Sequence, residues 1–431
     1  MQIANYSWHR RIYNLPPAVP NFNKLGFIVI LLLSVAGVQK IFFPGPTISV
    51  VIYFCAEILI ALLFLKNAQF FSKIDFKYKT NVKIFFLYGV FVVIHSFFVA
   101  ESYNQWRYLA TVFAPTLLLP FICILATNPL FTFAVFKTLI RITVPISFIF
   151  IFEGATEDKN HNLVYINYIS IIYLLIFLLP LFKFKFRLVI ILISLLSFTY
   201  DLDNRSNMLS LVFSYILLGY YVIASRLLNT SISSRILMVF RYILLFLPIL
   251  LFVLGAVDVF NVFKFIDTKG SSKEIIISSE SGRILTTDSR TGIYEDALKN
   301  LRKKNDWIFG SSATVIYTTH LAESNADWDK GRLGGSESGF LGFLTFGGVV
   351  YASLFFSLCY LSSFFAVHRS NSIAIQLIGI FISFRWLYSF IENTLVFNFT
   401  WITLFLAIGI AFSPSFRSMT DAQITNFFKK L

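Results

Sequence analysis

GFLGFLTFGGVVYASLFFSLCYLSSFF, residues 339–365, contains no Asp, Glu, Lys or Arg. A membrane-spanning helix needs about 20 predominantly apolar residues, and this stretch exceeds that length. Working outward from it, comparable runs lie at 25–42, 47–65, 83–100, 107–126, 130–152, 163–182, 188–200, 207–225, 239–257, 373–391 and 396–413. About twelve runs of that size place roughly 240 residues in lipid and leave roughly 190 outside. The composition agrees: of 431 residues, 57% are hydrophobic, 13% are charged and 52 are Phe. Soluble domains carry about 45–50% apolar and about 25% charged residues. The sequence therefore predicts an all-α polytopic membrane protein with about 12 transmembrane helices and excludes a large separate catalytic domain.

Charge between the runs sets an expected orientation. With the N-terminus inside, the cytoplasmic segments hold 18 of the 36 basic residues, among them Arg10, Lys79, Arg235, Arg241 and Arg417, but only Asp75 and Asp421 of the 22 acids. Most of the formal +14 is thus a cytoplasmic excess, as the positive-inside rule requires. These cations are spread over separate short segments, which points to anchoring and away from nucleic acid. The expected plan is a cytoplasmic segment 1–24 read as an uncleaved signal anchor, nine spans over 25–257, one long external loop over 258–338, three spans over 339–413 and a cytoplasmic tail 414–431. Cys55, Cys123 and Cys359 are isolated in apolar runs, so no disulfide framework is implied. His9, His95, His161, His320 and His368 are scattered, and neither a structural metal nor a cofactor is expected.

The external loop mixes twelve acids with eleven Lys or Arg. Within it, GIYEDALKNLRKK (292–304) reads as a helix with Ile293, Ala297, Leu298 and Leu301 on one face. Glu295 and Asp296 fall in its first turn and Arg302, Lys303 and Lys304 in its last, the polarity that the helix dipole favours.

Ionisable residues near spans are costly and suggest function. Arg107, Arg205 and Arg385 fall toward the external ends of their runs, and Arg290 immediately precedes the loop helix. Guanidinium gives planar two-pronged donation to phosphate and keeps its charge when desolvated, so four at one depth suit a diphosphate. The alternative for each is an ion pair: Arg107 with Glu101, Arg205 with Asp201 or Asp203, Arg385 with Glu57 or Glu392. GGSESGFLGFLTFGG (334–348) forms the entry to the tenth span, with Ser336 as a helix cap and Glu337 in the first turn. Glu337 reads either as a dipole residue or as a general base. His320, in TTHLAESNADWD (318–329), is the weaker candidate base. Trp307, Tyr317 and Trp328 suit sugar stacking or interfacial anchoring equally.

Three stretches together resemble the O-antigen polymerase and ligase superfamily of bacterial envelope polysaccharide synthesis. YDLDNRSN (200–207) is similar to its Ser-Arg-containing motif, here Arg205 and Ser206. DSRTGIYEDALKNLRKKNDWIFGSS (288–312) looks like its Arg, amphipathic helix, apolar residue and Gly, which places the motif Gly at Gly310. ESGFLGFLTFGGVVY (337–351) is similar to its polar dipeptide followed by a Gly-rich span. Ligases of the group usually begin that third motif with His. Glu337 and Ser338 stand there in this chain, which favours a polymerase of the Wzy type and leaves the base open between Glu337 and His320. The resemblance implies a GT-C-like glycosyltransferase of the bacterial inner membrane, N-in and C-in, with a periplasmic active site.

Its donor would be a growing glycan on undecaprenyl diphosphate, its acceptor a new lipid-linked repeat unit, with no nucleotide sugar. Arg205 and Arg290 would bind the diphosphate, with Arg107 and Arg385 as second choices. Membrane lipid is an expected partner, and the resemblance leaves room for a chain-length regulator. A ligase of the same superfamily is the nearest alternative. A flippase or other transporter is the rival class, but transporters place ionisable sites near the midplane, often between repeats. Glu57 is the clear mid-membrane acid here, Lys137 and Arg141 lie nearer the inside, and no repeat is visible.

Overall fold

The computed structural model describes residues 22–42, 46–68, 74, 76–146, 171–200, 205–227, 230–256, 290–317, 332–333, 338–391 and 395–430. These are almost entirely helical. The helices are α1 (Phe22–Phe42), α2 (Pro46–Lys66), α3 (Lys79–Val99), α4 (Tyr103–Ala126), α5 (Pro129–Ile146), α6 (Phe184–Tyr200), α7 (Arg205–Leu227) and α8 (Thr230–Ala256). They continue as α9 (Arg290–Lys304), α10 (Gly339–His368), α11 (Ile373–Ile391), α12 (Phe399–Phe412), α13 (Pro414–Ser418) and α14 (Asp421–Lys429). Residues 171–177 form a further helical stretch, buried in the core. Among the described residues the strands are one antiparallel pair, Ile316–Tyr317 with Arg332–Leu333. Seven of the helices are long and apolar enough to cross a membrane: α3, α4, α5, α7, α8, α10 and α11.

α11 is the axis of the bundle. Over its membrane-spanning length 94% is buried, against 28% for α3. α10, α8, α12 and α7 pack around it. Gly379 on α11 lets α10 approach closely, since an added Cβ would lie 2.8 Å from Ala366 Cβ and 3.0 Å from the Ser363 carbonyl. Phe side chains fill the interior as a connected set of rings. Phe343 stacks on Phe355 at 4.3 Å, Phe340 on Phe390 at 4.0 Å and Phe213 on Phe384 at 3.8 Å. The outer helices turn large apolar side chains outward instead, Leu87, Ile94 and Phe98 on α3 and Val239, Leu250 and Val253 on α8. Such a surface is stable against hydrocarbon and not against water, so the protein is membrane-embedded.

Four details depart from expectation. α9 begins at Arg290 and not after it, so Glu295 and Asp296 fall beyond its first turn. α8 begins at Thr230, about two and a half turns before the expected span, so Arg235 and Arg241 lie inside a helix and not in a connecting segment. Arg241 is fully buried. Its Nε donates to Ser363 Oγ (2.8 Å), its Nη2 to the Tyr360 carbonyl (2.8 Å), and its guanidinium lies 4.6 Å from the Tyr360 ring and 5.0 Å from that of Tyr242. Residues 414–430, expected as a tail, fold into α13 and α14, whose Phe416, Ile424 and Phe428 are buried. The cap of α10 is Ser338 and not Ser336, so Glu337 precedes the cap and does not sit in the first turn.

Candidate functional site

α9 lies over the end of the bundle where α10 begins and α11 finishes. Its sequence makes this a docked helix: Ala297 and Leu301 are buried, Leu298 is half-buried, and Tyr294 reaches two neighbours. The Tyr294 hydroxyl donates to the Phe390 carbonyl of α11 (2.5 Å) and lies 3.3 Å from Ser338 Oγ. Ser338 in turn donates to the Ser389 carbonyl (2.8 Å) and accepts from Leu341 N as the N-cap of α10. Three helix ends are thereby tied at one place.

Beyond α9 the chain reverses at Asn305 (φ 58°) and descends between α10 and the α3–α4 corner. α10 is broken to receive it. Gly347 (φ −133°, ψ 16°) and Gly348 (φ 67°, ψ −169°) leave the helical conformation, the second in a region essentially reserved for glycine. The helix amides freed by that break find partners in the descending segment. Val349 N donates to the Trp307 carbonyl (2.8 Å) and Val350 N to the Ile308 carbonyl (3.3 Å), while Ser311 N donates to the Thr345 carbonyl (2.8 Å). Tyr88 from α3 caps the Gly347 carbonyl (2.7 Å).

Gly310 (φ 77°) sits at the crossing, where an added Cβ would stand 2.5 Å from Gly347 N. On the far side Ala313 N donates to Ser96 Oγ (2.8 Å), Thr314 Oγ1 to the Ser96 carbonyl (3.1 Å) and Gln105 Nε2 to the Thr314 carbonyl (2.9 Å). The break lies about 12 Å along α10 from its start, and irregular backbone at such depth persists only when protein surrounds it. Residues 310–315 are indeed buried, whereas Ile308 and Phe309 at the turn are about 60% exposed.

The sequence candidates distribute around this assembly. Arg385 is buried in α11 about two turns below its end, with its guanidinium 4.5 Å from the Tyr388 ring. Arg290 is the first residue of α9, one turn before Tyr294, and Arg205 is the first residue of α7, whose Phe213 stacks beside Arg385 on Phe384. Arg107 is exposed on α4, two residues past Gln105. Glu337 adjoins the Ser338 cap but lies outside the described residues, as does His320. Arg290, Arg385 and the residue next to Glu337 thus belong to helix ends joined by hydrogen bonds, Arg205 to the helix packed beside them, and Arg107 to the flank. Sequence reading missed the roles of Tyr294, Ser96 and Gln105, and it noted Ser338 only as part of a polar dipeptide.

The chain matches no family model, no curated protein and no solved structure. Its chemistry must be read from the geometry. Among the described residues no three His, Cys, Asp or Glu side chains gather at one point. The Tyr294 and Ser389 hydroxyls here already donate to the Phe390 and Trp386 carbonyls, so what this end offers is a permanent cation in a poorly solvated setting and the start of α9. Such groups stabilise negative charge that grows on an oxygen during bond cleavage.

Proposed function

We propose that the protein polymerises undecaprenyl-diphosphate-linked oligosaccharide repeat units, transferring the growing glycan to the non-reducing end of a new lipid-linked unit. The observation that carries this reading is the crossing of Gly310 over Gly347 and Gly348. Two of the three stretches that resemble the polymerase superfamily, 288–312 and 337–351, lie apart in sequence and interlock here as one unit. Arg385 and the start of α9 stand at the same end.

In this reading the bond between the sugar anomeric carbon and the diphosphate oxygen breaks as the acceptor hydroxyl forms its new glycosidic bond. The acceptor proton passes to Glu337 or His320. Negative charge grows on the departing lipid diphosphate, where Arg290 and Arg205 bind it and Arg385 adds a fixed positive field. The helix directions that can be read alternate, as they would in a bundle that crosses the membrane repeatedly. α3, α5, α8 and α11 run toward α9, and α4, α7, α10 and α12 run away from it. The α9 end is then the periplasmic face of the inner membrane.

The test is a gel of products formed by the purified, lipid-reconstituted chain from repeat units of its own host, without nucleotide sugar and with chelator. A ladder spaced by one unit supports polymerisation. Units that cross the bilayer unchanged would make it a transporter, and a product seen only with a core-lipid acceptor would make it a ligase. Arg290→Ala at wild-type rate would remove the diphosphate assignment. Glu337→Gln at wild-type rate would remove that residue as the base.

A further inference from the structure

Arg241 commits two of its donors to the Ser363 hydroxyl and the Tyr360 carbonyl, yet its Nη1 is buried with no hydrogen-bond partner. The phenols of Tyr242 and Tyr360 support the charge without neutralising it. The guanidinium lies 5.6 Å from the Phe364 ring, and His368, one turn further along α10, stacks on that same ring at 4.4 Å. The Nδ1 of His368 is likewise buried without a partner. His368 feels the positive charge of Arg241 and also that of Arg369, which is exposed at the C-cap of α10. Among the described residues no carboxylate pairs with any of these three, and Asp421, an acid of the same end, is bonded to Ser372 (2.5 Å). The helix dipole accounts for cations at the end of α10. It does not account for like charges held around one imidazole, or for buried polar groups left without partners, which native structures rarely contain.

Position says what completes the cluster. α10 begins beside α9, so its C-terminal end lies at the opposite membrane surface, where the apolar run gives way to the polar residues 369–372. α8 runs the other way. Helix side chains lean toward the N-terminus and long cationic ones extend to the polar layer, so Arg241 reaches toward that same surface. Further into the membrane, where α8 meets α10, the half-buried Phe364, Tyr360 and Phe356 follow at one-turn spacing. Phe246 of α8, 46% exposed, meets Phe356 at 5.8 Å and Tyr360 at 6.3 Å. Positive charge at the headgroup layer, with accessible rings leading from it into hydrocarbon, fits an anionic head on a long apolar chain. A phosphate offers the acceptor oxygens that this cluster lacks. A head that carries its own ammonium would add a further cation between Arg241 and Arg369, which favours a molecule of net negative charge.

We infer that an anionic phospholipid binds where α8 meets the end of α10, its phosphate at His368 between the charges of Arg241 and Arg369 and an acyl chain along Phe364, Tyr360 and Phe246. The bilayer supplies that molecule directly. The site involves neither α9 nor the broken part of α10, so it stands or falls independently of the transfer reaction proposed above.

Native mass spectrometry of the purified full chain in neutral detergent tests it, with phosphatidylglycerol, phosphatidylcholine, undecaprenyl phosphate and inorganic phosphate as separate probes. One phosphatidylglycerol per chain should be retained in preference to phosphatidylcholine. The His368→Phe, Arg369→Gln double variant, which keeps a ring on Phe364, should weaken it about tenfold or more. Arg241→Met should weaken it too, and decides the matter if the double variant does not fold. Lys429→Gln with Lys430→Gln removes two exposed cations of the same end that lie outside the cluster, and should leave retention unchanged. Equal retention of the two phospholipids, undiminished retention by either cluster variant, or an equal loss from the lysine pair would overturn the site. Binding of inorganic phosphate with no gain from a chain would overturn it in favour of a soluble anion. Displacement of phosphatidylglycerol by undecaprenyl phosphate at equal concentration would overturn the assignment in favour of a polyprenyl carrier.

Discussion

Gly348→Ala tests the interlock between α10 and the segment that descends from α9. At φ 67° and ψ −169° a Cβ is strained wherever it points, at about 1–3 kcal/mol. It would also stand 2.1 Å from the Ile308 carbonyl oxygen and 2.3 Å from its carbon, both backbone atoms that cannot rotate away. The segment must then withdraw, and the amides of Val349 and Val350 lose the Trp307 and Ile308 carbonyls. With each orphaned amide at about 1–3 kcal/mol, the whole change comes to about 3–9 kcal/mol.

Gly219→Ala is the control, because no atom lies within 4 Å of its added Cβ and α7 is helical there. That change should be neutral or stabilise by up to about 1 kcal/mol. Two assays follow: thermal unfolding in detergent, ranked against the control, and hydrogen exchange of amides 307–315. Gly348→Ala should melt well below Gly219→Ala and lose protection across that segment, with Gly310→Ala behaving alike. Equal melting and unchanged exchange for Gly348→Ala would refute the claim that the break in α10 is held by the segment.

Tyr294→Phe should release α9 from Phe390 and Ser338 at about 1 kcal/mol, seen as faster exchange in 294–304 while α10 and α11 stay protected. Ser96→Ala strands the Ala313 amide and should cost about 1–3 kcal/mol in unfolding measurements. Around Arg241 the order is counterintuitive. Ser363→Ala leaves a buried guanidinium short of an acceptor and should destabilise more than Arg241→Met, which removes the charge altogether. Arg385→Lys keeps the charge but loses the planar group over Tyr388, and should slow ladder formation by about tenfold or more with inserted protein unchanged.

Much of the bundle was legible because runs such as 373–391 are long, uncharged by acids and bounded by polar residues, and the structure places α11 on those limits. The loop helix was legible for a different reason: Ala297 and Leu301 recur at helical spacing in a polar stretch, and they are the residues that dock. Arg241 was misread because counting cations near a span cannot tell a residue on a connecting segment from one a turn or two inside the helix. Its Ser363 and Tyr360 partners lie more than a hundred positions away.

The break in α10 carried a local signal, two adjacent glycines inside an apolar run, each unfavourable in a helix by about 1 kcal/mol. Nothing local says that Trp307 and Ile308 supply the missing acceptors. Arg290 and Glu337 were singled out by residue type and position, but the tie between the starts of α9 and α10 depends on Tyr294 and Ser338, whose bonds join residues 44 and 96 positions apart.

The interlock also imposes an order on biogenesis. Residues 305–315 are synthesised before α10, yet they bond to Ser96 and Gln105, made some two hundred residues earlier, and to α10, not yet made. α3 and α4 must therefore wait, already released into the lipid, with a receptor of polar groups prepared for a strand of chain that arrives late. α10 in turn cannot mature as an autonomous hydrophobic insert, because its middle amides lack acceptors until that strand is seated. Membrane entry and tertiary assembly, usually separable stages, are for this helix a single event. A ribosome stalled before residue 350 should hold an α9 that is made but not anchored.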